Sequence, residues 1–312
     1  MDRLNSDCIA SIAHYLTLQD QITMSRVSNT FLDALCSTEW RKDKYRNFRT
    51  QDDCLRALSK EDYQYFLEQI SPAMKELHIG EIFSRAFSSY LGRHLLRPEL
   101  AFYLRLNFCN LREFHCEDDK INDSMIRTLS SFCPELHVLD VTGRYITGKF
   151  IYTMSKLKTL RLHSCSIEEN YLLELLYTLK QLQQLKIIGN RHNVENLILK
   201  VPFSVLPLKE LCISDARNFG LHLAAKLPKL EELTVYDSHL ISETKLEQTL
   251  AETRKSVMSG LLSIPKNLRF VKSSIPFVAE QLQQLCKVND PQEDILYLES
   301  TETLIVKYIF SQ

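Results

Sequence analysis

Between residues 111 and 240 a six-residue pattern, leucine-x-x-leucine-x-leucine with occasional apolar substitutes, returns six times. The copies are LREFHC at Leu111, LHVLDV at Leu136, LKTLRL at Leu157, LQQLKI at Leu182, LKELCI at Leu208 and LEELTV at Leu230. Successive starts lie 25, 21, 25, 26 and 22 residues apart. Recurrence at such a period marks stacked supersecondary units, none of which can bury its apolar side alone. Weaker copies at Met74 (MKELHI) and Leu268 (LRFVKS) stand 37 and 38 residues from their neighbours. Those two gaps call for helical insertions or degraded repeats near residues 83–110 and 241–267.

Within each copy, apolar and polar residues alternate, which puts the leucines on one side of a short strand and the polar residues on the other. Partly apolar helical stretches come next, such as Tyr171, Leu172, Leu173, Leu175, Leu176 and Leu179. Parallel strands joined by helices give an α/β solenoid, expected to be curved, with a concave parallel sheet and helices on the convex side. The apolar segment 295–310 (ILYLESTETLIVKYIF) is expected to close it as a last strand or strands.

The alternation also selects a candidate binding surface: residues two, four and six after each first leucine face the open side. Glu113, His115, Asp140, Arg161, His163, Lys186 and Tyr236 are the candidates for contact with a protein substrate. Asp140 and Arg161 fall on consecutive strands and are either a structural pair or a recognition element.

Several chemistries are disfavoured. A formal net charge of −1 argues against general nucleic-acid or membrane-surface binding. Nine cysteines, odd in number and without CxxC pairs, fit reduced thiols in cytosol or nucleus. Cys116, Cys133, Cys165 and Cys212 recur within the copies and read as packing residues. No apolar run is long enough to span a bilayer, and MDRLNSDC carries no secretory signal. GRYITGK, at 143–149, imitates a phosphate loop, but Phe150 stands where the magnesium-binding hydroxyl belongs. His115, Asp140 and His163 share a predicted face without a nucleophile, and His163 with Cys165 is too small a set for zinc. Neither catalysis nor a metal or other cofactor is expected. RKDKYRNFR, at 41–49, reads as a solvated linker helix, and 51–70 as an N-terminal cap packed on the first copy.

The first 40 residues differ in kind. Ser6 can cap a helix with the stripe Ile9, Ile12, Ala13 and Leu16; Thr17 and Asp20 form a capping box for a second; Ser28 can cap a third. Three such helices carry too little core for confident independence. The segment LNSDCIASIAHYLTLQDQITMSRVSNTFLDAL with Trp40 resembles an F-box, departing at Asn5, where that family has proline. CPELHVLDVTGRYIT, from Cys133, and LKTLRLHSCSI, from Leu157, resemble cysteine-containing leucine-rich repeats, which often follow an F-box. The joint resemblance implies an F-box at 1–40, a helical linker and cap at 41–70, and a leucine-rich-repeat solenoid at 71–312. It implies a non-catalytic substrate receptor of an SCF-type ubiquitin ligase. Such a receptor binds the Skp adaptor, and through it a cullin, while its repeats hold the protein to be modified. Adaptor contact would fall to Leu4, Ile9, Ile12, Leu16, Leu18, Val27 and Phe31, some of which must also serve as internal core. The alternative is a repeat scaffold with no ligase role.

Overall fold

The computed structural model describes residues 5–50, 52–55, 57–80, 100–118, 120–189, 198, 200–201, 207–214, 227, 229–236 and 270–273. The expectations for Leu4, for the insertions at 83–99 and 241–267, and for strands at 295–310 lie outside the described residues. The chain divides into two compact units, Met1–Gly143 and Arg144–Gln312.

The first unit opens with helices α1 (Ser6–Ala13), α2 (Leu18–Ser25) and α3 (Asn29–Ser37). Side chains cap all three. Asn5, rather than Ser6, starts α1 by accepting from the Cys8 amide at 2.8 Å; Thr17 accepts from Asp20 and Ser28 from Phe31. After a short 3-10 turn holding Trp40 come α4 (Asp43–Arg46) and β1 (Asn47–Arg49), then α5 (Lys60–Ile70). The segment expected to be a single linker helix is thus helical only up to Arg46, and its last three residues form the edge strand. Next in the chain are strands β2 (Glu76–Ile79), β3 (Glu113–Cys116) and β4 (Val138–Thr142), with α6 (Leu100–Tyr103) before β3 and α7 (Asp123–Phe132) before β4. β1 to β4 pair in parallel and in chain order.

The second unit holds β5 (Thr159–His163), α8 (Glu169–Thr178), β6 (Gln184–Ile188), β7 (Glu210–Ser214), β8 (Glu232–Tyr236) and β9 (Phe270–Ser273). Its five strands are again parallel and sequential. Both weak sequence copies therefore form strands, β2 after Met74 and β9 after Leu268.

One register runs through each unit. Met74, Leu111 and Leu136, then Leu157, Leu182, Leu208 and Leu230, are each at most 1% exposed. The next apolar positions, Leu77, Phe114 and Leu139 in one unit and Leu160, Leu185, Leu211 and Leu233 in the other, are as deeply buried and lie in register. Each such side chain contributes about 1.5–3 kcal/mol relative to exposure. Backbone bonding repeats as well: the Lys75 carbonyl accepts from Arg112 and Glu113, that of Arg112 from His137 and Val138, and that of Lys158 from Gln183 and Gln184. This fixes where each strand enters, and so which side chains reach the open face.

Buried aromatics join the N-terminal helices to the first strands. Trp40 and Tyr45 both meet Phe66 of α5 edge-on, with centroids 5.1 Å apart. The Trp40 indole N–H donates to Gln21 Oε1 at 3.0 Å, while Gln21 Nε2 donates to the carbonyls of Ala13 and Leu16. A buried amide costs free energy unless paired; Gln21 is paired at both ends and ties α1, α2 and the Trp40 turn together.

The imitation phosphate loop has structural reasons for its glycines. A side chain on Gly143 would lie 2.5 Å from Ile121 Cγ2, and Gly148 adopts a φ of +95° that favours glycine. Beyond Gly148 the chain enters a three-residue 3-10 turn, Ile151–Thr153, too short to present a row of amides to phosphate.

Candidate functional site

Two surfaces carry features beyond packing. On the N-terminal helices and the turns between them, Ile12, Tyr15 and Val27 are 47%, 87% and 64% exposed. Leu16 and Phe31 are partly exposed. Ile9 and Leu18, by contrast, are buried and leave the set of candidate contacts, since their apolar area already holds these helices together. Tyr15 was not among the candidates: it lies just past the end of α1, outside the stripe Ile9, Ile12, Ala13 and Leu16.

The second surface is the open face of β1 to β4. In register, Arg49, His78, His115 and Asp140 form one row across four strands, beside the row Glu76, Glu113 and Val138. The imidazoles of His78 and His115 stack, 4.0 Å between centroids and 3° from parallel. His78 Nε2 lies 3.6 Å from Glu76, His115 Nε2 lies 3.6 Å from Glu113, and His115 Nδ1 lies 3.5 Å from Asp140. Burial, followed by His115 and Arg49, pushes the His78 pKa below its ordinary value against the pull of Glu76. His115 Nε2 is buried and has no hydrogen-bond partner among the described residues. Rings in parallel planes cannot direct both lone pairs at one ion, and no group of three or more His, Cys, Asp or Glu among the described residues could hold a metal.

Glu76 and His78 were not among the sequence candidates, although the signal was present: MKELHI places Glu and His at the positions that LREFHC gives to Glu113 and His115. Arg49 was hidden because a three-residue strand is too short to show alternation.

On β5 to β8 the row Thr159, Gln184, Glu210 and Glu232 is linked by side chains. Thr159 and Arg161 donate to Gln184 Oε1 at 3.1 and 3.4 Å, and Gln184 Nε2 donates to Glu210 at 2.8 Å. Burial, followed by the neighbouring Glu232 carboxylate, raises the Glu210 pKa. Arg161, Lys186 and Cys212 form the next row and are partly exposed. His163 is 7% exposed, which corrects its assignment to an open binding surface; it closes β5, in register with Ile188 of β6. The side chain of Tyr236 lies outside the described residues.

Burial pushes the Cys116, Cys133 and Cys212 thiols up to about 12, so they are neutral and poorly nucleophilic near pH 7. Cys116, Cys133 and Cys165 are packing residues, whereas Cys212 borders the open face. No helix among the described residues is long and apolar enough to cross a membrane.

No protein-family model and no curated protein matches this chain.

Proposed function

We propose that this chain is the substrate-recognition subunit of an SCF-type ubiquitin ligase, its N-terminal F-box binding the Skp adaptor and its leucine-rich repeats binding a protein substrate. The observation that carries the reading is the exposure of Ile12 on α1 and of Tyr15 and Val27 in the turns that follow α1 and α2, between capped helices. Large apolar side chains held rigidly in water are what a protein partner covers. The parallel strands add a second surface with polar side chains in ordered rows. A receptor with two such surfaces catalyses nothing itself; it raises the effective concentration of a substrate lysine near a charged conjugating enzyme.

A scaffold whose N-terminal helices only cap the first strands is favoured by one observation, the burial of Ile9 and Leu18. Leu16 and Phe31, partly exposed, point the other way.

Co-purification with the Skp adaptor decides between them. The intact chain is expected to form a stoichiometric complex, and Ile12→Asp/Val27→Asp to lose it while keeping the wild-type circular dichroism. A folded intact chain that captures no adaptor would sink the ligase reading and leave the scaffold.

A further inference from the structure

We propose that Arg46, Lys75 and Arg112, in register at the starts of β1, β2 and β3, form a docking ridge for an acidic segment of a protein partner. As a statement of substrate class this rests on the receptor reading above; as a binding surface it does not, because nothing in it involves the adaptor.

The repeat itself builds the row. Lys75 and Arg112 directly follow the first apolar residue of MKELHI and LREFHC, and Arg46 directly precedes β1. Their backbones are chained: the Lys75 amide donates to the Arg46 carbonyl and the Arg112 amide to the Lys75 carbonyl, each at 2.8 Å. The His137 amide continues the chain to the Arg112 carbonyl at 2.7 Å, and His137 Nδ1 lies 2.6 Å from the Glu135 carbonyl. Adjacent strands run about 4.8 Å apart, so the three cations fall along roughly 10 Å. Arg112 is exposed, and Arg46 and Lys75 are partly so.

Like charges opposite each other on neighbouring strands are destabilising unless something neutralises them. Among the described residues, no carboxylate pairs with Arg46, Lys75 or Arg112. Glu76 and Glu113, next in the chain after Lys75 and Arg112, lie instead within ion-pair reach of His78 and His115 on the open face. Arg46 Nε is buried, so this residue would meet an anion through its outer nitrogens.

The same repeat position in the second unit shows that a run of cations is not a demand of the fold. There Lys158, Gln183, Lys209 and Glu231 are chained by the same backbone bonds. A neutral amide separates the two lysines, and Lys209 pairs with Glu231 at 3.1 Å. Three consecutive cations without a partner are, among the described residues, a property of the first unit.

The chemistry of the row selects its occupant. A net charge of −1 is a sum over the whole chain, whereas a row of cations acts within the Debye length, about 8 Å at physiological salt. Single-stranded nucleic acid is held by aromatic rings on which bases stack, and Tyr45 and Phe48, interleaved with the basic residues, are only 5% and 1% exposed. An anionic lipid surface is held by clusters of about four to eight cations, more than this row offers. An extended acidic segment rises about 3.4 Å per residue, so roughly four residues span the row. Its carboxylates accept charge-assisted hydrogen bonds, bidentate ones from arginine.

The test titrates the full chain into fluorescein-labelled hexaglutamate at physiological ionic strength and reads anisotropy. Saturable binding is expected, weakening as salt rises, and a hexaglutamine peptide should not bind. Lys75→Glu/Arg112→Glu should weaken binding roughly tenfold or more, through two lost contacts and two new repulsions, with the wild-type circular dichroism retained. Arg112→Glu alone, at an exposed side chain, serves if the double variant fails to fold. Lys158→Glu/Lys209→Glu reverses as many charges at the same repeat position of the second unit and should leave binding nearly unchanged. Absence of saturable binding, equal capture of hexaglutamine, or an equal loss in the Lys158→Glu/Lys209→Glu variant would each overturn the proposal. So would undiminished binding by the folded ridge variants, or tighter capture of oligothymidylate or of phosphatidylserine vesicles than of hexaglutamate. Adaptor capture plays no part in any of these outcomes, so this proposal and the ligase reading can fail separately.

Discussion

Leu160 is fully buried in β5, in register with Leu185 of β6, so shortening it opens a cavity between repeats that rigid neighbouring strands cannot close. Leu160→Ala is expected to cost about 2–5 kcal/mol and to lower the denaturant midpoint accordingly; a wild-type midpoint would remove Leu160 from the core. Such positions are legible because alternation has a period of exactly two residues, and a one-residue slip would move every leucine of a strand into water. The polar half of the pattern is less legible. It places His163 on the open face, yet a residue at the strand end owes its exposure to whatever chain covers it, which no local period encodes. The start of α1 shows the same limit: Asn5 and Ser6 are both good caps, and only the backbone conformation, extended at Asn5, chooses between them.

Asp62 on α5 is what α2 holds. It accepts from Gln19 Nε2 and from Ser59 Oγ, each at 2.8 Å, and pairs with Arg26, whose guanidinium also lies 4.6 Å from the Tyr65 ring centroid. Hydrogen bonds from Gln19, foremost, and then from Ser59 and Arg26 hold its carboxyl below the usual carboxylate range. The group is therefore stabilising at any pH above the ordinary value of about 3.9 and loses that contribution as pH falls through its lowered folded value. Asp62→Ala is expected to cost roughly 1–2 kcal/mol at neutral pH, the figure being moderated by the half-exposed Arg26. The gap between variant and wild type should close in acid; a gap independent of pH would mean that packing, not charge, is lost. None of these long-range partners is visible in sequence, where no local period links Gln19 or Arg26 to Asp62. The helices themselves were visible, through caps and stripes. β1 was not: Asn47, Phe48 and Arg49 follow a basic helical run too closely, and it takes pairing with β2 to make them a strand.

The boundaries at residues 40 and 70 that the resemblance implies separate an N-terminal module, a linker and a repeat array, but the compact unit runs from Met1 to Gly143 without regard to them. The reason is physical. Three helices of eight or nine residues enclose little volume, so they borrow core from their neighbour: Trp40, 1% exposed, packs on Phe66, and Tyr45 packs on the same ring. Repeats advertise themselves by period, whereas a shared core between unlike segments leaves no periodic trace. If the core is shared, Trp40→Ala in the full chain should lower the stability of β1 to β4 along with that of the helices, by about 3–5 kcal/mol. Hydrogen exchange would read this as faster exchange of the β2 and β3 amides together with those of α1 to α3. An independent N-terminal module would instead lose protection alone, with β2 and β3 exchanging as in the wild type. That result would restore the boundary at residue 40, and with it a module free to carry its exposed Ile12, Tyr15 and Val27 to a partner without transmitting anything to the open face of the strands.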